Sequence, residues 1–228
     1  MSDVKNGFFN FENFNIPADV CVGMSSAGLG DACDRKSLER ILQKLRISIK
    51  NTVRAGQVHG NRIELATTVD VLLSETDGLL TVKKNICLLI FTADCLPVFI
   101  FENESGLTGL LHCGWKGLSK GILTDSLPKK LEQLNINLSK ATVILGAAIG
   151  KCCYEVKPDF WRSFPECATS SHFDLISFVK NNLLQLGIKK ENIYSLDHCT
   201  GCDNDSAFSY RKRKTDQRMV SFIMRKEL

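Results

Sequence analysis

No run in this sequence is long and apolar enough to span a bilayer. The most apolar stretch, Ile86 to Phe101, covers 16 residues and contains Asp94. The opening MSDVKNGFFNFENF has neither a positively charged start nor a sustained apolar segment, so no secretory signal is read there. Repeats, low-complexity tracts and Pro/Gly/Ser-rich linkers are missing too, and the five prolines are scattered. One domain over residues 1–228 is therefore the economical expectation. Histidine is scarce: four in 228 residues are too few for a conventional multicopper centre. There is no GxGxxG dinucleotide fingerprint. Gly146–Lys151 is one residue short of a phosphate-binding P-loop and runs into Cys152 where Ser or Thr is needed. Charge of either sign is barely in excess, 29 basic against 25 acidic residues. The seven basic and three acidic residues from Asp205 to Leu228 carry the whole surplus. A wide basic field, as nucleic-acid binding needs, is lacking.

What the chain does have is 44% apolar residues, enough for a core, and ten cysteines. Without an export signal these belong to a reducing compartment, so a cytoplasmic protein is expected, its thiols serving as core residues, metal ligands or nucleophiles. Arg35 to Ile49 has Leu38, Ile41, Leu42 and Leu45 at helical spacing. Asp174 to Leu186 repeats that pattern, with Asp174 as cap and Gly187 as stop. Gly117 to Leu134 predicts a third helix that Pro128 must kink or divide. Between them lie strand-like runs: Thr52–Val58, Arg62–Ala66, Gly78–Val82, Ile86–Thr92, Pro97–Phe101, Leu107–Leu111, Thr142–Leu145, Asn192–Leu196 and Met219–Met224. Several are apolar at consecutive positions, as strands covered on both faces are. The expected class is mixed α+β, sheets covered by helices.

Three segments carry potential chemistry: Gln57-Val58-His59-Gly60, Thr92-Ala93-Asp94-Cys95-Leu96-Pro97 and Leu111-His112-Cys113-Gly114-Trp115. The latter two flank a predicted hairpin. A turn centred near Asn103 and Glu104 sets Cys95 opposite His112 and brings thiol and imidazole together, though a one-residue shift in the turn would undo it. The pair suits a Cys–His nucleophilic dyad. It equally suits a metal site completed by His59, where two imidazoles and a thiolate fit Zn²⁺ with an open fourth position, and copper also accepts such ligands. Core thiols and hydrogen-bonded histidines remain a third reading. Cys199-Thr200-Gly201-Cys202 is a CxxC pattern and Cys152-Cys153 are adjacent. A second zinc site needs four ligands, and nothing in the sequence brings these together, so it is discounted.

QVHG, TADCLPV, HCGWKGL, GAAIGKCCYEV and the closing DNDSAFSYRKRKTDQRMVSFI resemble, in that order, the laccase-domain, purine nucleoside phosphorylase-like family, also called the polyphenol oxidase or multicopper polyphenol oxidoreductase family. The resemblance runs from about Val20 to the C-terminus. It implies a layered α/β/β/α sandwich with mixed sheets, similar to the cysteine hydrolase fold. It also implies one zinc ion held by His59, Cys95 and His112. The activity implied is phosphorolysis of adenosine, inosine, guanosine and S-methyl-5'-thioadenosine, with adenosine deamination. The expected partners are purine nucleosides and phosphate, without nucleic acid or membrane, for a monomer or homodimer. Within the matched motifs, Lys116 and Arg211 are candidate anion partners, and Tyr154 and Phe208 are candidate purine-lining rings. Glu155 is a candidate proton shuttle, with Asp94 as an alternative or an orienter. Lys116 stands where the family usually has Arg. Ser26–Gly30 and Gly146-Ala147-Ala148 also depart from its pattern, which bears on substrate preference more than on the metal. Relatives linked to correcting peptidoglycan building blocks make an amidase or cysteine hydrolase the first alternative enzyme, and a copper-dependent polyphenol oxidase ranks behind it for want of histidines. A non-enzymatic metal-binding partner protein is the alternative outside enzymes.

Overall fold

Runs apolar at every position have no polar face to offer water, and here they become strands covered on two sides. In the computed structural model, which describes residues 4–167, 171–203 and 205–227, Cys87–Thr92 and Leu96–Phe101 are such strands. In chain order the strands are β1 (Val4–Lys5), β2 (Phe8–Phe9), β3 (Val20–Met24), β4 (Thr52–Gly56), β5 (Ile63–Leu65), β6 (Val71–Ser74) and β7 (Gly78–Thr81). There follow β8 (Cys87–Thr92), β9 (Leu96–Phe101), β10 (Thr108–Cys113), β11 (Thr142–Leu145), β12 (Ile193–Ser195) and β13 (Met219–Arg225). The helices are α1 (Arg35–Lys44), α2 (Trp115–Ser119), α3 (Leu127–Gln133), α4 (Leu175–Gln185) and α5 (Tyr210–Arg213).

Two mixed sheets stack. One is six-stranded in the order β12-β11-β9-β10-β7-β5, the other five-stranded in the order β3-β13-β8-β4-β6. Period-two alternation decides which side chains face which layer. Leu88 and Ile90 of β8 meet Phe99 of β9 and Leu110 of β10 between the sheets. Cys87 and Leu89 point the other way, onto Leu38, Ile41 and Leu42 of α1. Val98 and Ile100 of β9 pack outward against Leu127 and Leu131 of α3 and Val179 and Leu183 of α4. The expected α/β/β/α layering is therefore present. Among the described residues no helix is long and apolar enough to cross a membrane.

Helix ends follow local chemistry. Asp34 caps α1 by accepting from the Ser37 backbone N–H, and Asp174 caps α4 by accepting from that of Ser177. The expected Gly117–Leu134 helix is broken elsewhere than at proline. Gly121, at φ 83°, turns the chain after α2, a π-helical turn spans Ile122–Ser126, and Pro128 sits in the first turn of α3, where no N–H is needed.

Three times the chain leaves the C-terminal end of a strand in the five-stranded sheet and enters a strand of the six-stranded sheet: β4 to β5, β6 to β7 and β8 to β9. These crossovers are short, and each turns through a non-glycine residue at positive φ: His59 at 58°, Glu75 at 51° and Asp94 at 90°. β4 and β8 are parallel neighbours, so these two crossovers start side by side.

Candidate metal centre

The crossovers place the site. The Gln57 side chain continues the β4–β8 pairing beyond the strand: its amide donates to the Phe91 carbonyl and its oxygen accepts from the Phe91 N–H, both at 2.8 Å. His59 is thereby delivered on the first crossover, Asp77 on the second and Asp94-Cys95 on the third. His112 comes from the end of β10. One ligand atom each from His59, Cys95 and His112 lies within 4.8 Å of the others, a grouping able to hold a metal ion. The two imidazole rings meet edge to face at 4.8 Å between centroids.

The hairpin register differs from the arithmetic expectation. His112 pairs with Pro97, not Cys95, because the turn is centred one residue later and β9 begins at Leu96. Contrary to the expectation, this one-residue shift in the turn does not undo the pair: it moves the pairing by two residues, so Cys95 keeps the facing parity and reaches His112 diagonally.

Asp77, fully buried, organises the centre. Its carboxylate accepts backbone N–H bonds from Val58, His59 and Gly60 at 3.2, 3.0 and 2.7 Å, which fixes the turn carrying His59. It also bonds His112 Nδ1 at 2.7 Å. With Nδ1–H donated to a carboxylate, Nε2 is the His112 nitrogen turned to Cys95, and it can bind a cation once its proton leaves. Burial opposes ionisation of Asp77, but these donors outweigh it and hold its pKa below the usual range. Burial likewise pushes the Cys95 thiol up, yet the His112 charge and hydrogen bonds from His112 and His59 bring it down to about 6. Burial pushes His112 down, whereas Cys95 and Asp77 raise it to about 9. Both shifts favour the thiolate–imidazolium form of the metal-free pair between these two values. A cation at this point replaces the shared proton.

Gly114 closes the back of the trio. A Cβ there would lie 2.9 Å from Cys95 Sγ and 3.3 Å from His59 Cδ2. Gly114→Ala is expected to weaken metal binding about 10–100-fold, the scale seen when a ligand's support is disturbed, with little change in thermal midpoint; chelator competition and a melting curve measure the two.

A second group of residues adjoins the trio. The Asp94 carboxylate accepts from Thr200 Oγ1 and from the Arg211 backbone N–H, both at 2.6 Å. The Arg211 guanidinium lies 5.3 Å above the Tyr154 ring and donates to the Glu155 carbonyl at 2.6 Å. Burial pushes the Tyr154 phenol up, Cys95 and Asp94 add to this, and Arg211 opposes it, so this ring lies in the field of both groups. The Glu155 side chain is exposed and enters the arrangement through its backbone. Lys116 is exposed on α2, its ammonium 5.7 Å above the Trp115 ring. Phe208 packs against the inter-sheet core, so Tyr154 is the candidate ring in contact with Arg211. His198 pairs with Asp203 and Phe9, and His172 with Ser171. Asp77 and Thr200 were missed by sequence reasoning: an Asp before Gly78 reads as an ordinary turn, and Thr200 reads as filler in CxxC.

A family model described as multi-copper polyphenol oxidoreductase laccase matches residues 27–226. The chain belongs to this family. Similar proteins include purine nucleoside phosphorylase YlmD of Geobacillus stearothermophilus, 30% identical over 214 residues, covering 82% of this chain and 77% of that one. Purine nucleoside phosphorylase Cj1217c of Campylobacter jejuni is 34% identical over 185 residues, covering 78% of this chain and 79% of its own. The crystal structure of YlmD from Geobacillus stearothermophilus superposes with a TM-score of 0.85 at 27% identity, over 97% of both chains. Hypothetical protein YfiH of Bacillus licheniformis shares the fold at a TM-score of 0.87 and 23% identity, over 98% of both chains.

Proposed function

We propose that this chain is a zinc-dependent purine nucleoside phosphorylase acting on adenosine, inosine, guanosine and S-methyl-5'-thioadenosine, with adenosine deaminase activity beside it. The observation that carries the reading is the convergence of His59, Cys95 and His112, oriented by Asp77, in a chain whose relatives are named purine nucleoside phosphorylases. Two imidazoles and a thiolate suit one zinc ion and leave its fourth position open. When bound, zinc supplies a Lewis acid and an activated water.

The surrounding residues do the rest. Arg211 presents a planar fork to phosphate, steadied by Tyr154 and the Glu155 carbonyl, and Lys116 adds a point charge. Tyr154 stays protonated and lines the purine side, its ring packed edge-on against Phe160 and Phe173. Glu155 serves the site through its backbone carbonyl on Arg211, and its exposed carboxylate is assigned no proton transfer. Both oxygens of Asp94 are engaged, so it positions the 200 and 211 segments rather than moving a proton.

A nucleoside panel run with and without phosphate, before and after chelation, tests this. Phosphate-dependent base release that disappears on chelation and returns with zinc is expected; ammonia release from adenosine reports the deaminase. Full turnover in zinc-free protein overturns the reading. The pH dependence is specific. Between about 6 and about 9 the metal-free Cys95–His112 pair holds one proton that the cation must displace. Zinc affinity should therefore rise about tenfold per pH unit through this window and level off above it, measured by chelator competition.

The low Cys95 and raised His112 pKa values also favour a second reading, a cysteine hydrolase with Cys95 as nucleophile acting on a peptidoglycan precursor. A Cys95 acyl adduct seen by mass spectrometry under turnover would support it, and its absence rejects it.

A further inference from the structure

Four other cysteines come together on the far side of Asp94. Cys152 and Cys153 lie in a turn closed by bonds from the Cys153 and Tyr154 N–H groups to the Gly150 carbonyl, at 3.0 and 3.1 Å. Cys199 and Cys202 lie in another, where the N–H groups of Cys202 and Asp203 reach the Cys199 carbonyl at 3.2 and 3.1 Å. A parallel bridge between Ala148 and Cys199 holds the turns side by side. All four sulfurs are within 4.8 Å of one another, with Cys152–Cys202, Cys153–Cys202 and Cys152–Cys199 at 3.3, 3.4 and 3.5 Å. These separations far exceed a disulfide bond of about 2.05 Å. They are close to the edge, about 3.8 Å, of a tetrahedron of sulfurs set about 2.3 Å from a zinc ion.

We propose that Cys152, Cys153, Cys199 and Cys202 form a second, structural zinc site, distinct from the His59–Cys95–His112 centre. The backbone is built around the sulfurs. The Gly150 N–H donates to Cys199 Sγ at 3.1 Å, a bond that strengthens when the acceptor is a thiolate. A Cβ on Gly201 would sit 2.7 Å from Cys153 Cβ and 3.0 Å from its sulfur, so only glycine lets the turns close. Four thiolates satisfy tetrahedral coordination, which makes the site closed rather than catalytic and selects a soft, four-coordinate ion. Binding releases the thiol protons to solvent. The ion pins together the two segments that hold the neighbouring centre: Thr200, inside the CxxC turn, donates to Asp94, and the Ile149 N–H donates to the Asp94 carbonyl at 2.9 Å.

The test uses the full chain purified under reductant without added metal. In a His59→Ala/His112→Ala variant, plasma mass spectrometry should still find one zinc per chain, and X-ray absorption should read an all-sulfur shell at about 2.3 Å. This variant leaves the four cysteines intact, so a failure of the first centre cannot be mistaken for a failure of this one. Cys199→Ser/Cys202→Ser should lose one zinc and lower the thermal midpoint. If the double cysteine variant does not fold, the metal count and absorption spectrum of the histidine variant decide alone. No zinc in the histidine variant, nitrogen or oxygen in its metal shell, iron in place of zinc, or disulfides among these cysteines under reductant would each overturn the proposal.

Discussion

Changing His112 to alanine is expected to remove zinc from the three-ligand centre and lower nucleoside phosphorolysis by about a thousandfold or more. A Lewis acid at a reacting centre contributes several kcal/mol, and each ~1.4 kcal/mol is a factor of ten in rate. Cys95→Ser should behave alike for phosphorolysis, since a serine hydroxyl is a poor zinc ligand at neutral pH. The variants differ in their effect on the fold. His112 is buried, and its removal leaves the Asp77 carboxylate short of one donor while the three backbone donors remain. A loss of a few kcal/mol in stability is the usual scale for an underpaired buried charge, so a melting curve belongs with the kinetics. A His112→Ala protein that is folded, free of zinc at this centre and fully active would remove the basis of the proposed mechanism.

The order of chemical motifs was readable because each segment is contiguous: His59, Cys95 and His112 sit in short runs whose residue types suit a metal. What joins them was not. The chain crosses between sheets three times at one end of the sandwich, and no local pattern marks a strand's sheet. The hairpin estimate erred because the polar loop allows more than one centre, and Glu102 pairs with Leu107 across it through backbone bonding. β3 was invisible since Gly23 interrupts its apolar run; the glycine is there because the Phe222 ring lies over it, 2.7 Å from where a Cβ would be. β6 was missed for another reason: its residues alternate half-buried and exposed, but the outward position is taken by an apolar residue, Leu72 at 52% exposure, so the sequence shows no apolar/polar alternation. The four-cysteine cluster was discounted because two local pairs, 46 positions apart at their nearest, are joined by tertiary contacts such as the Ala148–Cys199 bridge and the Gly150 N–H to Cys199 Sγ bond, which no local pattern announces.

Asp77→Asn should separate orientation from ligation. The variant keeps the volume and all three metal ligands. Asparagine, however, has a single acceptor oxygen, and its NH₂ would face donors, whereas the native carboxylate receives three backbone N–H groups and His112. Stability should fall by about 2–3 kcal/mol, the scale for losing hydrogen bonds to a buried charge. Zinc affinity at the three-ligand centre should drop about 10–100-fold, because the His112 tautomer and the His59 turn lose their shared anchor. The sign of the pH effect follows from the lowered Asp77 pKa. Its contribution is complete above the ordinary carboxylate range and disappears as the pH falls through the depressed native value. Denaturant titrations at several pH values should therefore show the two proteins converging in acid and separating toward neutrality. Unchanged zinc affinity, with stability parallel to the native protein at every pH, would mean that the carboxylate is a bystander and that another group orients the imidazoles.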